Sequence, residues 1–394
     1  MNTRTSTLEW AGFILIALCL GVVQVWLLLA QSILFLAAAI VWVIVASRDR
    51  GRPETPAFFV PLLVFAALTL VSAAVSSNPL ASLSDSRQLL MFLMVPIVAR
   101  FVRGDRAMQV IDVVIAMGGA AALVGIVQFA LLGYNNLDNR PRGLLSHWMT
   151  YSGLLMMVTC TAIARLLFYP RQIIWPMVAV PALLVALVVT NTRNAWIGTF
   201  LAVSVLLAIR NWKLVILAPL LAGLAFAVAP GEIQRRANSI LNPSEPGAID
   251  RRVMWKIGAD MIRDHPVFGL GPEMIQYKYK TYRIKYPEAV NLENPHLHNV
   301  PIQIAAERGL PALAAFLWFV VVAARDLWRQ LRARTAPAVA AAGLAALIAM
   351  LAAGMFEWNF GDSEFLMLFL GLLTLPYAAA RGGPAAGLAP NPST

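Results

Sequence analysis

Residues 251–310 read RRVMWKIGADMIRDHPVFGLGPEMIQYKYKTYRIKYPEAVNLENPHLHNVPIQIAAERGL, and this stretch decides how the chain is laid out. It is the charged end of the one long polar insertion in a sequence otherwise made of apolar runs. Three of the four histidines (His265, His296 and His298) and nine of the 31 Lys and Arg lie in it. Such concentrated polarity marks a water-facing task, with the apolar segments as its mount.

Outward from it, the composition sets the class. The 394 residues are 59% hydrophobic and 13% charged, with a mean hydropathy of +0.71. Soluble chains run nearer about 45–50% apolar and about 25% charged. Apolar runs of roughly 17–25 residues recur, the length an α-helix needs to cross a bilayer. The expected fold is therefore an all-α polytopic membrane protein of about twelve transmembrane helices. Spans one to nine are expected in residues 1–230, a large outer loop containing helices in 231–297, spans ten to twelve in 298–381, and a tail in 382–394. The first apolar run lacks an A-x-A-like cleavage site and another follows at once, near Ala30 and Gln31, so it is expected to be a retained span.

The net charge of +11 does not point to nucleic acid, because the basic residues sit in short gaps between apolar runs. Sixteen fall on the side of the N-terminus, against Arg87, Arg140, Arg142 and Arg193 in the short segments of the other side. That asymmetry predicts cytoplasmic termini and an external insertion, long loops being exempt from the rule. Cys19 and Cys160 fall inside apolar runs and read as small buried residues. No period of roughly 20–50 residues is visible, so a repeat-built transporter gains no support.

Within the insertion, residues 251–264 predict a helix ended by Pro266. Val253, Met254, Ile257 and Met261 share one face, Arg252, Lys256 and Arg263 make a basic stripe, and Arg251 falls on a third side with Trp255. Two readings stand: a helix on the membrane surface holding lipid phosphates, or a solvated basic face. VFGLGPEM reads as a Gly-punctuated turn. YKYKTYRIKYPE suits sugar stacking and phosphate contact, or a loop at headgroup level.

His298 is the sharpest candidate. Asn299 is a good N-cap and Pro301 suits the first turn of a helix, which puts His298 just ahead of a helix N-terminus. The dipole there disfavours imidazolium, and a neutral histidine can take a proton from an attacking hydroxyl. The plainer reading is a structural cap contact. Asn299, Gln303 and Glu307 make a polar stripe, with Glu307 placed to orient substrate or to pair with Arg308. Arg193 lies in a turn of about four residues between two apolar spans, where its fork suits a diphosphate or snorkels to headgroups. Arg140 and Arg142, in NRPRG, share that outer surface. His265, His296 and His298 lack the usual zinc spacing, and the outer segments show no D-x-D, P-loop or G-x-S-x-G. No metal and no cofactor are expected.

At these residues the chain resembles the O-antigen ligase and polymerase superfamily. The likeness rests on the R-x-x-x-W helix start (Arg251 to Trp255), DHPVFGLGP (264–272), HNVPIQIAAERGLPAL (298–313), NTRNAWIG (191–198) and PRG (141–143). The resemblance implies a bacterial inner-membrane glycosyltransferase with a periplasmic loop domain and cytoplasmic termini. Its donor would be an undecaprenyl-diphosphate-linked glycan. One large late loop looks more like the ligase, whose acceptor is lipid A–core, than the polymerase or the protein O-oligosaccharyltransferases. By position, the family's catalytic histidine falls on His298 and its essential arginines on Arg193 and Arg251, with Arg252 adjacent; Arg142 and Glu307 complete the candidate substrate-binding set. Membrane lipids are the remaining expected partners. The rival class, a lipid-linked glycan transporter, should carry charged or broken helices at mid-bilayer, whereas most span interiors here are uncharged.

Overall fold

The apolar runs fold as helices. The computed structural model describes residues 3–25, 28–49, 55–169, 171 and 174–381, and among them every regular element is helical. The expected tail, 382–394, lies outside the described residues. In chain order the α-helices are α1 (Thr3–Val22), α2 (Leu28–Arg48), α3 (Phe59–Val75), α4 (Pro79–Asp85), α5 (Met94–Phe101), α6 (Arg106–Leu131), α7 (Trp148–Phe168) and α8 (Ile174–Val189). There follow α9 (Arg193–Arg210), α10 (Leu217–Val228), α11 (Gly231–Asn238), α12 (Pro246–Asp264), α13 (Met274–Arg283), α14 (Val300–Ala333), α15 (Pro337–Gly354) and α16 (Ser363–Ala380).

Seven of these, α2, α6, α7, α9, α14, α15 and α16, are long and apolar enough to cross a membrane, and four shorter apolar helices lie at 7–22, 59–75, 174–189 and 212–228. The turn expected at Ala30 and Gln31 falls earlier, because α2 already begins at Leu28. The apolar run at about 88–102, one of the nine spans expected in residues 1–230, is not one α-helix. Ser86–Leu93 is 3-10 helix and only Met94–Phe101 is α. The larger rise per residue of the 3-10 turns stretches those sixteen residues over roughly 28 Å, close to a bilayer core. α5 is buried almost all round, packed against α1 and α16.

Two ends of the bundle differ in charge. Arg48, Arg100, Arg165, Arg210 and Arg332 sit in the last turns of α2, α5, α7, α9 and α14, where cations oppose the helix dipole favourably. Arg100 ties this end together through Glu9 at 2.7 Å and Asp49 at 2.9 Å. The starts of α7, α9, α14 and α16 meet at the other end, under the insertion.

The insertion builds a small core of its own. Val253, Met254, Ile257 and Met261 pack with Leu270, Met274, Ile275, Tyr279 and Leu297. The apolar face of α12 is thus used inside the protein, which removes the membrane-surface reading for it. Its basic stripe is solvated, with Lys256 3.2 Å from Glu288 and Arg263 2.7 Å from Asp260. α12 starts earlier than expected, at Pro246, because Glu245 caps it by accepting from the Ala248 amide. The Tyr/Lys run is helix α13 as far as Arg283, and Tyr279 is fully buried, so its tyrosines share no sugar-stacking face.

A clamp joins insertion to bundle. Gly309 breaks α14 with φ 83° and ψ 167°, a conformation open essentially to glycine alone. The carbonyls released there are taken up again: Ala306 O accepts from Leu270 N, and Glu307 O from Gly271 N and from Ser72 Oγ, all within 2.9 Å. Leu310 N donates back to Pro266 O at 2.8 Å. At Gly269 a Cβ would collide with the Glu307 carbonyl. The polar gap between α3 and α5 serves the same joint, with Ser82 Oγ donating to Pro272 O at 2.8 Å.

Candidate functional site

The site lies where the insertion meets the helix starts. Asn299 caps α14 by accepting from the Ile302 amide at 2.9 Å, and Pro301 sits in its first turn. His298 precedes the cap in the left-handed region, φ 47°. Its Nδ1 is 2.9 Å from Glu357 Oε1, in the turn between α15 and α16. Burial works against the imidazolium, but the charge and hydrogen bond of Glu357 outweigh it and raise the His298 pKa above the ordinary histidine value. The shift runs opposite to the one expected from the helix dipole. A carboxylate in contact acts more strongly than partial charges at a helix end. Glu357 is itself held below the usual carboxylate range, because His298, the Trp358 amide and Arg251 together overcome its burial.

Beside this pair is a cluster of guanidinium groups. Arg193, the first residue of α9, donates to Ser239 O (3.1 Å), Ser239 Oγ (2.9 Å) and Glu245 Oε2 (3.1 Å). Arg236 reaches Glu245 Oε1 at 3.4 Å and Asn191 O at 3.3 Å. Arg140 approaches Asn191 O at 3.5 Å and lies 5.2 Å over the Trp148 ring. Arg251 is half-buried and makes no hydrogen bond or ion pair among the described residues. Burial and mutual repulsion lower the pKa of Arg140, Arg236 (to about 10) and Arg251. All remain cationic at neutral pH, and such a group favours an anion among them.

A cavity of about 260 Å³ opens on this cluster, lined by Arg193, Arg251, Arg252, Trp255, Ser239 and Phe356 among others. It shares Ile197 and Ile240 with an apolar cavity of about 400 Å³, walled by Trp196, Phe200 and Phe226 between α9, α10 and α11.

The residues singled out in the sequence divide clearly. His298, Arg193 and Arg251 come together. Arg252 stands on the cavity rim, exposed, with Nη2 2.6 Å from Pro243 O. Arg142 is directed to Ser146 O at 3.5 Å, and its neighbour Arg140 joins the cluster instead. Glu307 does not reach the cavity. It is buried against Arg308 at 2.5 Å and accepts from the Glu273 amide at 3.0 Å, one of the two roles its position allowed. His265 ends α12, and no three His, Cys, Asp or Glu form a metal-holding group among the described residues.

Sequence reasoning missed Glu357, Arg236, Glu245 and His147, the cap of α7. The signal for Glu357 was present: the turn MFEWNFGDSE puts three acids on the side that the charge rule makes external, a cluster the reading of the outer segments passed over.

No curated protein matches the chain. Residues 178–317 match the family model described as O-antigen ligase. The matched stretch runs from α8 into α14 and takes in Arg193, Arg236, Glu245, Arg251 and His298; Arg140 and Glu357 lie outside it. Residues 178–317 thus carry an O-antigen ligase domain, which supports placing the chain in the O-antigen ligase superfamily.

Proposed function

We propose that the protein is an O-antigen ligase, transferring a glycan from undecaprenyl diphosphate to a sugar hydroxyl of lipid A–core at the periplasmic face of the inner membrane. The observation that carries this is the unpaired Arg251 guanidinium, set between the Arg193 cluster and the His298–Glu357 pair on a cavity that adjoins an apolar one. A diphosphate suits the cations and a polyprenyl chain suits the apolar walls.

In this mechanism Arg193 and Arg251 bind the diphosphate and stabilise its charge as it leaves. Glu357 holds the Nδ1–H of His298, so that Nε2 is the base. The acceptor hydroxyl gives its proton to Nε2 while its oxygen bonds to the anomeric carbon. The bond from that carbon to the phosphate oxygen breaks, and undecaprenyl diphosphate departs with the electron pair. One displacement inverts the anomeric configuration. The basic helix ends at the opposite end of the bundle support a cytoplasmic placement for that end.

The test uses purified protein, lipid-diphosphate-linked glycan and lipid A–core, resolved on a gel with and without His298→Ala. A glycan ladder moved onto lipid A–core by wild type alone supports the ligase. Longer chains still on the polyprenyl lipid make the protein a polymerase, and glycan on an added acceptor protein makes it an oligosaccharyltransferase. No change in either lipid returns the transporter reading.

A further inference from the structure

A second polar cavity, of about 250 Å³, lies against the cation cluster and has no part in the mechanism above. Asn136, Asn191, Glu232, Arg235, Arg236 and Glu245 are among its walls. Ser239, which Arg193 grips, lines both this cavity and the one at Arg251. Neither Arg251 nor His298 lines it.

Asn191 distinguishes it from an incidental cleft. The residue is 3% exposed, yet its Oδ1 is buried without a hydrogen-bond partner. Its backbone carbonyl is already engaged by Arg140 and Arg236. Its φ of 54° lies in the left-handed region, which asparagine tolerates better than most residues. A buried orphan acceptor on a cavity wall is costly to keep unless a ligand donates to it.

The lining also tells the ligand's charge. Arg235 is paired with Glu232 at 3.7 Å and Arg236 with Glu245 at 3.4 Å, so the walls are neutral in sum. That disfavours a free anion, which the unpaired Arg251 next door attracts better. Amide, carboxylate and guanidinium groups together offer both donors and acceptors to an array of hydroxyls.

We propose that this cavity is a carbohydrate subsite that holds a neutral sugar ring of the donor's glycan, remote from the sugar that reacts at His298, with Asn191 Oδ1 accepting from one of its hydroxyls. The proposal rests on the glycosyl-transfer reading above. A remote subsite adds affinity only for donors long enough to reach it, so its signature is dependence on glycan length.

The experiment compares wild type with Asn191→Gly, which accepts the left-handed φ and removes the amide, and with Glu232→Gln, a second lining residue. Binding of the water-soluble glycan, cleaved from its lipid by mild acid, is read by saturation-transfer NMR on purified protein. KM is read for a donor of several repeats and for a donor of one sugar. Both variants should weaken glycan binding, Asn191→Gly by about tenfold, and raise KM for the long donor well beyond any change for the short one. Equal losses for both donors, unchanged glycan binding in Asn191→Gly, or displacement of the glycan by inorganic phosphate would overturn the subsite. Wild type that binds the glycan yet transfers neither donor would instead overturn the ligase reading and leave the subsite standing.

Discussion

His298 Nδ1 and Glu357 Oε1 stand 2.9 Å apart, although 59 residues separate them in the chain. One comes from the start of α14 and the other from the turn between α15 and α16. This contact sets the basicity of the proposed base.

The transfer rate should rise with pH as His298 loses its proton, with the midpoint above the ordinary histidine value of about 6.5. Glu357→Gln removes the charge that favours imidazolium. The midpoint should move to lower pH while the plateau falls by roughly 10²-fold. A pH–rate profile measures both, and an unmoved midpoint would refute the assigned role of Glu357.

Arg251 and Arg193 should separate stability from activity. Arg251→Ala removes no partner, so the melting temperature should hold while transfer falls by about 10²–10³-fold. Arg193→Ala also strips Ser239 and Glu245 of their contacts and should lower stability by roughly 1–3 kcal/mol. Thermal melts in detergent beside transfer assays read this out. Equal melting losses in the two variants would contradict the unpaired state of Arg251.

Gly309→Ala should destabilise the joint between insertion and bundle. Alanine resists φ 83° with ψ 167°, and its Cβ would strike the Val267 carbonyl. The cost is of order 1–3 kcal/mol for the backbone strain alone, and protease cleavage within 266–273 should accelerate. A variant cleaved at the wild-type rate would show that the clamp does not hold the loop.

Chelation should leave transfer intact, because guanidinium groups take the place of a divalent cation at the diphosphate in the proposed mechanism. An assay in EDTA checks this. Activity lost in EDTA and restored by Mg²⁺ would rule that mechanism out.

What could be read beforehand follows from the range of each interaction. The apolar runs declared helices because burial and bilayer length act locally in sequence, and the cap at Asn299 is likewise a matter of neighbours. The same local reasoning made too much of the alternation in 277–286, since helix α13 turns Tyr279 inward while Tyr277 stays exposed. It also placed Glu307 among the candidates. Whether that side chain meets substrate or Arg308 is decided by how the kinked helix packs on residues 266–273. Arg140 and Arg142 were equivalent in NRPRG, and only the fold of the loop sends one to Asn191 and the other to Ser146. The acids of 355–364 were a local signal for Glu357, but its pairing with His298 was out of reach because the two come from different helix pairs.

That contact has a consequence in time. A ribosome makes the cations and the histidine first, and the carboxylate follows only after most of α14 and all of α15. A chain halted in between would carry the whole family-matched stretch and still present an untuned imidazole. In the proposed mechanism the base is therefore completed late in synthesis, when the last helices have docked.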